Sequence, residues 1–154
     1  MDKLWAPWRI NYVSSKIKSK GCIFCSAKTA KSKDYVIFKT RFSIVMLNIY
    51  PYNNGHVMVA PFRHVKSLEL LRAVELSDLM GLVVKTKRLL DKKLKPDGYN
   101  IGINIGKIAG AGFDGHVHIH IVPRWAGDTN FMPIIANTKI VSESMDAMHK
   151  LLKR

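Results

Sequence analysis

Acid is scarce in this chain: eleven Asp and Glu stand against twenty-five Lys and Arg, a formal charge of +14 on 154 residues. That imbalance excludes a surface built to attract cations and favours anionic partners such as nucleotides, RNA and phosphorylated metabolites. Cysteine is scarce too. Only Cys22 and Cys25 are present, which excludes a disulfide-framed secreted module. No apolar run approaches the ~18 residues that a bilayer crossing requires. Trp5, Pro7 and Trp8 interrupt the amino-terminal segment where a signal peptide would be unbroken. The expected location is cytoplasmic, with no membrane partner. No internal repeat or low-complexity tract is evident. What is there is 47% hydrophobic, enough for one core and too short for a second. The reading is one domain over residues 1–154, with an arm at 1–34, a core at 35–140 and a closing helix at 141–154.

The arm carries aromatic anchors (Trp5, Trp8, Tyr12) and then a Lys-, Ser- and Gly-rich stretch around the cysteine pair, without sustained period. Tyr35–Lys39 and Ser43–Leu47 are short β-branched and aromatic runs that predict a hairpin. Pro51–Gly55 predicts a turn, and His56–Ala60 a third strand. From Ser67 to Leu94 apolar residues recur at three- and four-residue spacing, which predicts a short helix and then a long one ending before Pro96, with Ser77 as a candidate cap between them. Asp97-Gly98 reads as a turn, Tyr99–Ile105 as a fourth strand, Gly106–Gly115 as a glycine-rich loop, and Ser142–Leu152 as the closing helix.

The run His116-Val117-His118-Ile119-His120-Ile121-Val122 alternates polar with apolar, so as a fifth strand it sets three imidazoles on one face and a core face behind them. At about 3.3 Å per residue, His118 lies roughly 6.6 Å from each outer histidine, close enough for one site. A neutral imidazole is a nucleophile or metal ligand at pH 7 without a deprotonating partner, and a general acid when charged. Against this stands a solvated strand face that merely carries histidines.

Cys22 and Cys25, spaced Cys-x-x-Cys, fit a metal site, a pair of reduced thiols or a redox couple. A metal needs two more ligands, and His64 and His116 are the best placed histidines; two thiolates and two imidazoles make a closed, structural zinc set. The glycine loop, with Gly110 and Gly112, can bring backbone N–H groups to a phosphate, or it can be glycine-rich because a tight connection requires it. Asn48 and Asn104 can bond sugar hydroxyls or serve as turn-formers. The basic excess is otherwise a solvated surface, and only Trp5 to Tyr12 interleaves aromatic with basic residues as nucleic-acid binders do.

The His-φ-His-φ-His-φ-φ run, where φ is apolar, resembles the signature of the histidine triad (HIT) superfamily of nucleotide hydrolases and transferases. The similarity extends through Leu4-Trp5-Ala6-Pro7-Trp8-Arg9, Cys22-Ile23-Phe24-Cys25, Leu47 through His56, and Pro123-Arg124-Trp125 through Gly127-Asp128-Thr129-Asn130-Phe131, and is greatest to the bacterial diadenosine-tetraphosphate phosphorylase-like and Fhit-like branch. The resemblance implies an α+β, HIT-like fold: a five-stranded antiparallel sheet with one long and one C-terminal helix, extended across a homodimer. It implies that His118 attacks the α-phosphate to give a nucleotidyl-histidine and that His120 holds a phosphate oxygen. Asn48 then falls at the ribose, and Asn104 with Gly110 and Gly112 at the phosphate-side loop. Cys22, Cys25, His64 and His116 would ligate zinc, with no organic cofactor. Several relatives carry Ser or Gln shortly before the triad, where this chain reads Gly112-Phe113-Asp114-Gly115, so this stretch does not fix the leaving group. The expected function is cleavage of dinucleoside polyphosphates or related adenylates. The alternatives are a nucleoside 5′-phosphoramidase and a nucleotide- or RNA-binding module with little catalysis, and long nucleic acid is the less favoured partner.

Overall fold

The computed structural model describes residues 21–27, 35–129 and 142–153; the tryptophans and Tyr12 of the arm, and residues 130–141, lie outside them. Strand β1 (Val36–Lys39) turns back into β2 (Ser43–Leu47), and β3 (Val57–Pro61) follows. A 3-10 turn at Leu68–Leu70 leads into the long helix α2 (Ala73–Leu94), then β4 (Gly98–Ile103), β5 (Ile119–Arg124) and helix α3 (Met145–Lys153). A single helical turn, α1 (Ile23–Ser26), lies ahead of β1, inside the stretch expected to be irregular. All strand pairs are antiparallel, in the order β1-β2-β3-β5-β4. Among the described residues no helix is long and apolar enough to cross a membrane.

Period-two alternation gives the sheet two apolar faces. Val45, Leu47, Val57, Val59, Ile119 and Ile121 point to one side and pack on Leu79, Leu82, Val83 and Leu90 of α2 and Met148 and Leu152 of α3. Ile44, Met46, Met58 and Ala60 point to the other and pack on Phe24 and Ala27 at α1. On β5, His120 shares this second face, since it pairs with Met58 across β3 and with Gly102 across β4. The long helix therefore supports the sheet from behind and leaves the histidine side to the short α1 arm.

Two expectations are corrected. The triad strand was expected over His116–Val122, but the ladder runs Ile119–Arg124 and only His120 of the three lies in it. Its pairing with β3 begins at Val59–Ile119, and Val117 instead donates its N–H to the Val65 carbonyl at 2.7 Å, so His116 and His118 stand on an extended lead-in. At the other end the strand continues through Pro123. This is tolerated because β3 pairing stops at Ile121, and beyond it the Pro123 carbonyl accepts from the Asn53 side chain at 3.1 Å.

Ser77 does not cap a helix; it lies inside α2. The amino terminus is set at Arg72, whose N–H donates to the Glu75 carboxylate at 2.8 Å, a reach-back bond that alternation of apolar residues does not reveal. Glu75 is buried, and Arg63 and Arg72 both donate to it, at 2.8 and 3.0 Å. These bonds, Arg63 first, push its carboxyl down to about 2. The folded value lies below the unfolded one of about 4.3, so the stabilisation is complete above that range and is lost as pH falls through about 2. The expected result is a melting temperature that declines from pH 5 toward pH 2 in the parent. Glu75→Gln should melt lower at pH 7 with a flatter acid arm, and acid arms of equal slope would assign the decline to other carboxyls.

Two turns fix the flanks of the site. Gly55 sits at φ +69°, where L side chains are strained, and an added Cβ would press on the tip of the Leu94 side chain, so the turn before β3 favours glycine. Helix α2 ends with Lys95 in the left-handed region at φ 47°, just before Pro96 as the sequence predicts.

Candidate active site and metal centre

His118 is buried and its ring is fixed from two sides. Its Nδ1–H donates to the His116 carbonyl at 2.8 Å, and the Phe24 ring packs 4.8 Å from it, centroid to centroid. A proton on Nδ1 leaves Nε2 with its lone pair. Burial pushes the His118 pKa below its ordinary value, partly opposed by the carbonyl bond, so the ring is neutral at pH 7. Its other neighbour is His120, 4.8 Å away edge to face.

The orientation of His120 follows from a chain of bonds that begins on a backbone amide. Tyr52 N–H donates to His56 Nδ1 at 3.0 Å, and Asn48 Nδ2 approaches the same nitrogen at 3.4 Å. An amide can only donate, so His56 carries its proton on Nε2 and gives it to His120 Nδ1, 2.9 Å away. His120 is then protonated on Nε2. His118 and His120 thus hold opposite tautomers, with a lone pair at Nε2 of the first and a proton at Nε2 of the second. Burial first, then the neighbouring His120 and His118, lowers His56 to about 3, so His56 stays neutral through the physiological range.

His56 was read from sequence only as the start of a strand. Its signal is local, a histidine just after Asn-Asn-Gly, but its partner is sixty-four residues away and becomes visible only once β3 and β5 are in register. Asn48, expected near a sugar, is also a turn-former: its Oδ1 accepts the Tyr50 N–H at 3.0 Å, two residues on. Asn104 donates to the Gly110 carbonyl at 3.4 Å. Gly110 N–H and Ala111 N–H donate to Lys107 and Gly106 carbonyls, so these two amides close the loop on itself. Gly110 takes φ +84°, and Gly112 is exposed beyond it.

Cys22, Cys25, His64 and His116 do come together, their ligand atoms all within 4.8 Å of one another. Cys22 Sγ lies 3.3 Å from His116 Nδ1, and Cys25 Sγ lies 3.3 Å from His64 Nδ1 and 3.7 Å from His116 Nδ1. The edges of a tetrahedral site with thiolate and imidazole ligands measure roughly 3.3 to 3.8 Å, so the donor set fits a metal ion. His116 Nε2–H donates to the Pro61 carbonyl at 2.8 Å, the outer bond that turns a ligating imidazole's other nitrogen toward a metal. Burial raises the Cys22 thiol, and a cation at this position would hold it as thiolate. Phe24, between the two cysteines, is fully buried against both His116 and His118, at 5.1 and 4.8 Å. The four candidate ligands and His118 therefore share a wall.

The family model of the HIT domain matches residues 29–127. The chain is 35% identical over 162 residues to the AP-4-A phosphorylase of Mycobacterium tuberculosis, spanning 99% of this chain and 83% of that protein. It is 33% identical over 103 residues to the adenosine 5′-monophosphoramidase hnt1 of Schizosaccharomyces pombe, 67% of this chain and 74% of that one. Among solved structures, a Zn-bound histidine triad family protein from Mycobacterium smegmatis superposes with a TM-score of 0.68 at 26% identity, covering 87% of this chain and 91% of that one.

Proposed function

Because the chain belongs to the HIT family, we propose that it cleaves dinucleoside polyphosphates or related adenylates at the α-phosphate, through a nucleotidyl group carried on His118. The observation that carries this reading is the pair of opposite tautomers, a buried neutral nucleophile at His118 Nε2 beside a proton donor at His120 Nε2. Attack by the His118 lone pair forms an N–P bond and breaks the P–O bond to the leaving polyphosphate, which departs with the electron pair. His120 Nε2–H donates to an oxygen of the phosphoryl group as its charge shifts. Water or inorganic phosphate then attacks phosphorus, and the N–P electrons return to His118. Asn48 reaches the ribose, and Asn104 with the Gly110 to Gly112 turn flanks the phosphates. The basic surface gathers the polyanion.

Cys22, Cys25, His64 and His116 would hold zinc, which with four protein ligands is a closed structural site that supplies no open position to substrate. A cytoplasmic setting keeps those thiols reduced. The protein pairs into a homodimer through β4, which is a sheet edge with Ile101 about half exposed, while Met80 and Val84 of α2 are exposed to a similar degree. Edge-to-edge pairing would extend the sheet to twice its strands and remove an unpaired edge.

The test is incubation of the pure protein with diadenosine tetraphosphate, with and without inorganic phosphate, and separation of the products by ion exchange. ADP and ATP formed only with phosphate mark a phosphorylase, and AMP released without it marks a hydrolase. Cleavage of adenosine 5′-phosphoramidate alone would move the assignment toward the monophosphoramidase relative. Binding without cleavage of either compound would leave a nucleotide-binding module.

A further inference from the structure

We propose that the groove beside His120 is a subsite for a neutral nucleoside, the distal one on the leaving group of a dinucleoside polyphosphate. This rests on the functional reading above for the identity of the substrate, and on the following geometry for its place. A groove of about 280 Å³ opens on the histidine face, lined by Tyr52, Asn53, Asn100, Val122, Arg124 and Thr129. Its position is fixed by strand register: His120 pairs with Gly102, Val122 with Asn100 and Arg124 with Gly98, and paired residues share a face. Continuing from His118 past His120 thus leads directly into the groove. Val122 lies about 7 Å and Arg124 about 14 Å beyond His120 along the strand, far enough to meet the distal end of a substrate held by its α-phosphate.

The floor is bare where a ligand would lie. Gly98 and Gly102 flank Asn100 on this face, and a Cβ at either would meet nothing within 4 Å. Tyr52 forms the wall nearest the chemistry, its ring 5.7 Å from His120 and 4.6 Å from His56. Groove volume and an aromatic wall suit a base with its sugar.

Charge separates this ligand from a phosphate chain. Arg124 is the cation of the groove, and it donates to both oxygens of Asp128 at 2.6 and 2.9 Å and to Asn100 Oδ1 at 2.7 Å. Asp128 also accepts from Asn53 Nδ2 at 2.7 Å and from the Trp125 N–H at 3.1 Å. The cation is matched by a carboxylate within the same network, so on a strongly basic protein this surface offers amides, a phenol and a planar guanidinium face with no net charge. Such a lining recognises base edges and stacks on them, and leaves the phosphates to the histidines.

The experiment uses His118→Ala protein, so that ligands are not consumed. Diadenosine tetraphosphate and adenosine 5′-tetraphosphate, which lacks the distal nucleoside, are each titrated by calorimetry. Diadenosine tetraphosphate should bind about tenfold tighter, the worth of one stacked base. That advantage should fall to about twofold or less when Asn100→Leu or Tyr52→Leu is added. The comparison is biased against this result, because adenosine 5′-tetraphosphate carries more charge and a basic surface favours it. Equal affinities in the His118→Ala parent, or an advantage that survives both further substitutions, would overturn the subsite. If wild-type protein cleaves neither compound while the preference and its loss are seen, the catalytic reading falls and the subsite stands.

Discussion

Replacing His118 by alanine is expected to lower turnover of diadenosine tetraphosphate by on the order of 10⁴- to 10⁶-fold, the scale seen when a covalent nucleophile is removed, while the fold and nucleotide binding persist. The expectation rests on how little else on this face can replace it. His116 directs Nδ1 to the thiols and Nε2 to the Pro61 carbonyl, and His120 presents a proton where a lone pair is needed. His56 has both nitrogens committed, to Tyr52 and to His120. His118 alone is oriented by a carbonyl on Nδ1 and lowered by burial so that Nε2 is unprotonated at neutral pH. Steady-state rates with matched thermal melts measure the loss, and His118→Gly with added imidazole should recover part of it, which a packing role would not permit. Turnover near the parent rate in His118→Ala would remove the nucleotidyl-histidine from the mechanism.

Much of this arrangement is legible in the sequence because it is local. Alternation through His118 to Val122 separates a histidine face from the core, and the His118–His120 edge contact lies opposite Ile119 and Ile121, which are buried in the core cluster. The hairpin of β1 and β2, the turn at Gly55 and the end of α2 before Pro96 are also set by neighbours in the chain. The gathering of Cys22, Cys25, His64 and His116 was read from ligand chemistry, and the fold supplies its geometry.

What the sequence hides is long-range register. That His116 and His118 lie outside the β5 ladder depends on where β3 stops and on Val65, far from either in sequence. The reach-back of Glu75 to Arg72, reinforced by Arg63, displaced the cap expected at Ser77. The tautomer relay through His56 and the groove at Asn100 exist only once β3, β5 and β4 lie side by side, and no periodicity within one segment announces them.

The cysteine pair carries the second large effect. Protein purified without chelator is expected to hold about one zinc per chain, and Cys22→Ser or Cys25→Ser should lose it, with a fall in melting temperature on the order of 10 °C. The stated size follows from what the cluster joins. Cys22 lies just before and Cys25 within a single helical turn, His64 follows β3 and His116 precedes β5, so the four ligands tie the α1 turn to two segments that the Val117 N–H to Val65 carbonyl bond already joins. A four-residue helix has too few internal hydrogen bonds to hold itself, and it carries Phe24, which is fully buried against His116 and His118. Losing the metal frees that wedge, so turnover should also fall, but less than in His118→Ala, since the nucleophile and its Nδ1 bond remain. Metal analysis by plasma emission and melting with and without chelator separate the readings. Zinc lost together with stability supports the closed site, a disulfide in the mass spectrum supports a redox couple, and metal-free protein of unchanged stability leaves two reduced thiols and no role for the cluster.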